Sequence, residues 1–198
     1  MTARYEAIVL AGGSGSRFGG GKLLAPFRGG ELIDGALRAA FAAPVEGVIV
    51  VTGYDRDRVG ESVTAFAERH GSDTPWRIVH AAAYVEGMAA TLRTGIGAVS
   101  AQSDGAFVFL GDMPNIPPDV PGSLADSIGE KAAAAPTHQG ARGHPVLFAR
   151  RLFPALLALE GDKGARTVLD NLGADLTLVE SNDSGVLFDV DRWSDLLH

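Results

Sequence analysis

The residues from Leu10 to Lys22 read Leu-Ala-Gly-Gly-Ser-Gly-Ser-Arg-Phe-Gly-Gly-Gly-Lys, a glycine-rich run whose only charges are the cations Arg17 and Lys22. Glycines after an apolar strand let main-chain N–H groups close on a ligand, and two cations beside them favour a phosphorylated small molecule. Taken alone, such a run can also be a flexible turn between strand and helix. It fits none of three familiar loops. The Walker pattern needs Ser or Thr after Gly-Lys, and Gly21-Lys22 is followed by Leu23. The dinucleotide fingerprint needs a glycine where Phe18 stands, and a nucleophile elbow needs one where Ser16 stands. Further along, Asp112 directly follows the apolar run Ala106–Leu110, and Asp189 and Asp191 lie near the C-terminus. A single Asp after a strand is ordinarily a turn former. Paired with a second acidic strand end it suits Mg²⁺, which binds through one or two carboxylates plus phosphate oxygens.

The elements that must position these groups alternate along the chain. Apolar runs at Ala7–Leu10, Val48–Val51, Arg77–His80 and Ala106–Leu110 predict strands. Between them Ile33–Ala42, Asp55–Arg69 and Ala89–Val99 predict helices, the first with Leu37 and Phe41 one turn apart and the second opening on Asp55 as a cap. This alternation implies an α/β fold, a mostly parallel sheet covered by helices with ligands at the carboxyl ends of its strands. The pattern changes after about Ala132. Ala133–Pro136 and His144–Phe148 flank a polar, glycine-bearing connector suited to two antiparallel strands, an antiparallel addition in the C-terminal third. Helices are expected near Leu152–Leu159 and after Arg166, and Leu176–Val179 and Val186–Phe188 are expected to close the sheet. No linker, repeat or low-complexity tail interrupts the chain, so residues 1–198 are expected to form one domain.

Bulk composition narrows the partners. With 46% hydrophobic and 21% charged residues, the 198-residue chain has the balance of a globular protein with a substantial core. Lys+Arg number 17 against Asp+Glu 24, and the formal net charge of −7 argues against nucleic acid or an anionic membrane as partner. One phosphorylated ligand held by a few local cations remains compatible. Cysteine is absent, which removes disulfides and thiolate metal sites. Arg4 and Glu6 break the N-terminus where a signal peptide would need its apolar stretch, and no run has the length of a membrane span. A cytoplasmic location follows as the expectation. His70, His80, His138 and His198 show no metal-ligand spacing and are expected to face solvent.

Taken in order, Leu10-Ala11-Gly12-Gly13, Arg17, Lys22, Gly111-Asp112-Met113-Pro114, Gly143-His144-Pro145-Val146-Leu147-Phe148, Gly161-Asp162-Lys163-Gly164-Ala165-Arg166 and Asp189-Val190-Asp191 resemble the molybdenum cofactor nucleotidyltransferases over nearly the whole chain. The resemblance implies the Rossmann-like, three-layer nucleotidyltransferase fold, with helices on both faces of the sheet. It also implies transfer of a nucleoside monophosphate from CTP or GTP to the phosphate of molybdopterin, with Mg²⁺ as cofactor and release of pyrophosphate. A client molybdoenzyme or its chaperone is a further implied partner.

Carried over residue by residue, the resemblance makes Arg17, Lys22 and Asp112 the catalytic set. Leu10, Ala11, Gly12, Gly13, Lys22, Gly87 and Asp112 would bind the nucleotide. Asp112 with Asp189 or Asp191 would hold the metal, and His144, Asp162 and Arg166 would face the acceptor. From the residues alone, a His before Pro at a strand start is more often a structural group, and Asp162 and Arg166 four apart could simply pair on a helix. For the base, Gly12 resembles the guanine-using enzymes, where the cytosine-using ones tend to carry Ala. The five-residue step from Arg17 to Lys22 and the Gly-His-Pro and Gly-Asp-Lys-Gly-Ala-Arg segments resemble the cytidylyltransferases, so CTP is the favoured donor. Two other readings stand beside this one: a nucleotidyltransferase acting on a sugar phosphate or other phosphorylated acceptor, and a non-catalytic chaperone that binds nucleotide or pterin cofactor.

Overall fold

In the computed structural model, which describes residues 3–15, 18–70, 73–161 and 164–197, the β-branched and aromatic runs form the centre of one eight-stranded sheet. Strands β1 (Tyr5–Ala11), β4 (Val48–Thr52), β5 (Trp76–His80) and β6 (Gly105–Leu110) are parallel neighbours in the order β6-β1-β4-β5. The rest of the sheet is mixed. Strand β9 (Val146–Ala149) runs antiparallel to both β6 and β7 (Ala133–His138), while the edge strand β10 (Leu176–Glu180) returns parallel to β7. The expected antiparallel addition is present, with a short extra strand β8 (Ala141–Arg142) folded back on the end of β7. Away from the sheet, β2 (Pro26–Phe27) and β3 (Gly30–Glu31) make a small hairpin that sequence reading did not anticipate.

Side-chain alternation along the strands builds three layers. Ala7, Val9, Val48, Val50, Phe107 and Phe109 face one side, where they meet helices α1 (Ile33–Ala42), α2 (Arg56–His70) and α4 (Val120–Ser127) through Leu37, Phe66 and Leu124. Ile8, Ile49, Val51, Ala106 and Val108 face the other, where α3 (Met88–Ala98), α5 (Phe153–Leu157) and α6 (Arg166–Asp170) supply Leu92, Ile96, Leu156 and Leu169. Strands buried on both faces need continuous apolar runs rather than polar alternation, which is how β1, β4 and β6 read in the sequence. Helix α4 is the one long element missed, since its start is masked by Pro117, Pro118 and Pro121. None of the helices among the described residues is long and apolar enough to cross a membrane.

One expected strand is not a strand. Ser184–Leu187 is a 3₁₀ turn, in which the Asp183 carboxylate accepts the Gly185 N–H at 2.7 Å. Gly185 lies so close to the Asn115 carbonyl that a Cβ there would stand 2.0 Å from it, so this stretch is pinned to the loop after β6 instead of joining the sheet. The His144 N–H, just before β9, donates to the Val186 carbonyl at 2.9 Å. The helix expected over Leu152–Leu159 is shorter: a 3₁₀ turn at Arg150–Leu152 leads into α5.

Candidate active site

Because β1 and β6 are adjacent, parallel and in register through Leu10 and Leu110, the glycine-rich loop and Asp112 leave the same end of the sheet. Strand β4, on the other side of β1, brings Gly53 and Tyr54 to that end as well. A Cβ on Gly53 would stand 2.4 Å from the Gly12 carbonyl, so only glycine lets the two loops pack there. Between these loops lies a cleft of about 670 Å³, lined by Leu10, Gly12, Gly13, Lys22 and Asp112. Its far wall is the start of α3, where Gly87 adopts φ 110°, ψ −173°, a backbone conformation open to glycine and strained for other residues. Position at the carboxyl ends of parallel strands is where open α/β sheets take their ligands.

Three charged groups meet in the cleft. Lys22 Nζ donates to Asp112 Oδ2 at 2.7 Å, and Asp191 Oδ1 stands 3.7 Å from the same ammonium. Asp191 is carried there by its neighbour Val190, a fully buried side chain whose N–H donates to the Asp112 carbonyl at 3.1 Å. Asp189 does not line the cleft, but it feels the same charges. Burial first, then the like charges of Asp191 and Asp112, push its carboxyl above the ordinary aspartate range, while Lys22 pulls it partly back. Three carboxylates with one close ammonium are a site short of positive charge, and hard oxygen donors of this kind suit Mg²⁺ or Mn²⁺. Among the described residues no group of three or more acidic, His or Cys side chains forms a metal cage by itself. Such a site fits a cation whose remaining ligands are phosphate oxygens and water.

The remaining sequence-predicted residues fall in several places. Ala11 is buried beneath the loop, in the cluster with Leu23 and Val59, rather than in the cleft wall. His144 is near enough to Asp112 to feel its charge: its Nδ1 is buried without a partner, and burial holds the imidazole below the ordinary histidine range. A hydrogen bond with the Val108 main chain and the charge of Asp112 oppose that shift, and Arg142 reinforces it. Arg166 is exposed at the first turn of α6 and does not line the cleft. The loop before it does reach the edge, since a Cβ on Gly164 would stand 3.0 Å from Met88 Sδ. Arg17 and Asp162 lie outside the described residues, as does His198. His70 and His80 are exposed as expected, whereas His138 is half-buried with Nδ1 2.9 Å from the Ser181 carbonyl.

Sequence reading missed Tyr54, Tyr84 and Val85 in the apolar part of the cleft. Tyr54, Tyr84, Val85 and Met88 line it, and Tyr54, Val85 and Met88 are exposed large hydrophobics. Thr91 on α3 forms its floor against the bare Cα of Gly12. The available signal was the cluster of apolar residues flanking Gly87 in a stretch otherwise read as loop.

A three-layer sheet with a glycine-rich loop and lysine after one strand and an aspartate after its parallel neighbour has the frame of a ligand-binding α/β protein. Residues 7–176 match the family model described as the MobA-like NTP transferase domain, and the chain belongs to that family. The chain is 26% identical over 192 residues to the molybdenum cofactor cytidylyltransferase of Escherichia coli, covering 97% of this chain and 93% of that protein. It is 28% identical over 187 residues to the purine catabolism protein PucB of Bacillus subtilis, covering 93% and 90%. Among solved structures, Rv0371c of Mycobacterium tuberculosis superposes with a TM-score of 0.83 at 26% identity, covering 98% of this chain and 96% of that one. Its manganese complex superposes with a TM-score of 0.79 at 23% identity, covering 98% and 96%.

Proposed function

We propose that residues 1–198 act as one nucleotidyltransferase domain that moves a nucleoside monophosphate from an NTP, CTP in preference to GTP, to the phosphate of a molybdopterin-type acceptor. The observation that carries this reading is the Lys22–Asp112 pair at 2.7 Å on the floor of a glycine-walled cleft. In the proposed reaction an oxygen of the acceptor phosphate attacks the α-phosphorus of the NTP. The bond from that phosphorus to the bridging α–β oxygen breaks, and pyrophosphate leaves with the electron pair. No protein nucleophile is needed, so positioning and charge neutralisation supply the catalysis.

The glycine loop would hold the triphosphate through main-chain N–H groups, and Lys22, with Arg17, would neutralise charge that grows on the leaving pyrophosphate. Asp112 with Asp191 would ligate Mg²⁺, with Asp189 close enough to strengthen the field that draws it. When bound, Mg²⁺ supplies Lewis-acid polarisation of the phosphoryl oxygens. Until nucleotide arrives, Asp112 orients the Lys22 ammonium toward the cleft. The apolar wall of Tyr54, Tyr84, Val85 and Met88 suits a flat heteroaromatic ring. His144 near Asp112 and Arg166 beside the Gly161–Gly164 loop are the proposed acceptor-side groups. The reaction uses metabolites of the cytoplasm, where the protein is proposed to work.

The E. coli relative's name supports both the reaction class and the acceptor. Incubation with CTP or GTP, Mg²⁺ and molybdopterin, read as pyrophosphate release, tests the proposal. Faster release with CTP supports it, and a clear GTP preference corrects the base alone. Release only with another phosphorylated acceptor leaves the transferase and rejects the pterin. Nucleotide or pterin binding without pyrophosphate from any acceptor favours the chaperone.

A further inference from the structure

The C-terminal segment does more than deliver Asp191. Trp193 stacks on Phe18 with ring centroids 4.2 Å apart and an interplanar angle of 23°, and its indole Nε1–H donates to the Phe18 carbonyl at 2.9 Å. Phe18 is a residue of the glycine-rich loop and itself lines the cleft. Around the stack, Phe18, Ala25, Phe27, Leu32 and Val190 form a third buried cluster, separate from the two that pack on the sheet, with Phe188 and Leu196 against it. The turn bearing Trp193 is held in shape by Asp195, whose Oδ2 accepts the Asp191 and Arg192 N–H groups at 2.9 and 2.8 Å. One short segment thus grips the loop by its only aromatic residue and main chain at Phe18, and grips the Asp112 turn through the Val190 N–H.

The loop needs such a grip. Gly19, Gly20 and Gly21 follow Phe18 with φ of 90°, 95° and 65°, and none has anything within 4 Å of where a Cβ would be. Glycine has no side chain, so the strip that leads to Lys22 is held through its main chain, with the Gly20 N–H donating to the Gly15 carbonyl at 3.1 Å. Its free chain would sample many conformations, and each must be given up when a ligand binds.

We propose that Trp193 is a positioning residue for the glycine-rich loop: by holding Phe18 it preorganises the strip that presents Lys22 to the nucleotide. This rests on the reading of the cleft as an NTP site. Trp193 does not itself line the cleft and reaches it only through Phe18, so its effect is expected in nucleotide affinity rather than in the chemical step. Losing an aromatic stack and one hydrogen bond corresponds to about a tenfold weakening.

The chain has two tryptophans, Trp76 on β5 and Trp193, so Trp76→Phe leaves Trp193 as the sole indole reporter on the loop. In that background, titration with CTP and Mg²⁺ is expected to shift or quench the emission of Trp193 in step with direct binding measured by equilibrium dialysis. Trp193→Ala is expected to raise Kd and KM for the nucleotide about tenfold with kcat within about twofold. Trp193→Phe, which keeps the stack but not the N–H, should recover part of that loss. Thermal unfolding of both variants checks that the fold is intact. Tight CTP binding by the parent with silent Trp193 emission, and a Trp193→Ala variant that binds as tightly as the parent, would overturn the positioning role alone. Failure of the unaltered protein to bind any NTP would remove the nucleotide site, and this inference with it.

Discussion

Gly35 offers the sharpest test of how the fold places Asp112. It lies in the first turn of α1, buried against the turn that follows β6. A Cβ there would stand 2.2, 2.5 and 2.7 Å from the carbonyl oxygen, Cα and carbonyl carbon of Pro114, all main-chain atoms. Ordinary contact begins near 3.4 Å, so Gly35→Ala requires helix and turn to part by about 1 Å. Overpacking of this kind costs about 1–3 kcal/mol, while alanine regains about 0.5–1 kcal/mol of helix propensity. The net destabilisation is about 1–2 kcal/mol, and a protein of this size then loses about 2–8 °C of Tm. Because Asp112 sits two residues before Pro114, the same displacement misplaces the carboxylate, and a 1 Å error at a catalytic group can cost about 100-fold in rate. Calorimetric Tm and the rate of pyrophosphate release measure both effects. A higher Tm with unchanged kcat, as propensity alone dictates, would refute the argument that the 112–114 turn is wedged by α1.

Other perturbations probe single groups. Asp112→Ala is expected to lower transfer by orders of magnitude while far-UV circular dichroism stays as in the parent, because metal charge stabilisation is worth several kcal/mol and the half-buried carboxylate is outside the core. Lys22→Ala should weaken nucleotide use at low NTP more than it lowers Tm, and parental kinetics would reduce the loop to a turn. His144 is held below its ordinary value of 6.5 mainly by burial, so the unfolded chain takes up a proton at higher pH than the folded one. Its contribution to stability is therefore complete above about pH 6.5 and is lost as pH falls through the depressed folded value. His144→Gln should accordingly flatten the decline in Tm between about pH 7 and pH 5, and an unchanged slope would mean that another group sets it.

The sheet was legible because β1, β4 and β6 are buried on both faces, so Ala7–Leu10, Val48–Val51 and Ala106–Leu110 carry unbroken apolar runs that need no tertiary information. Val186–Phe188 carries the same kind of run and forms no strand, since Asp183 and the Asn115 carbonyl fix it from outside the segment. At the site, Lys22 and Asp112 could be named from local sequence, Lys22 as the cation closing a glycine-rich run and Asp112 as the acid directly after an apolar strand. The choice between Asp189 and Asp191 could not be made two residues apart by spacing. It depends on buried Val190, which turns Asp191 toward Lys22 and leaves Asp189 outside the cleft lining. The Phe18–Trp193 stack joins residues 175 positions apart and has no local signal at all.

In the proposed reaction the cleft joins an α-phosphoryl group directly to an acceptor phosphate. CTP carrying isotope at the α-phosphorus, incubated with Mg²⁺ and molybdopterin and then separated from protein under denaturing conditions, tests it most directly. Label is expected in a pterin dinucleotide, with one pyrophosphate released per label transferred and none on the protein. Label held covalently by the protein, or no transfer of α-label from any NTP to any phosphorylated acceptor, would contradict it.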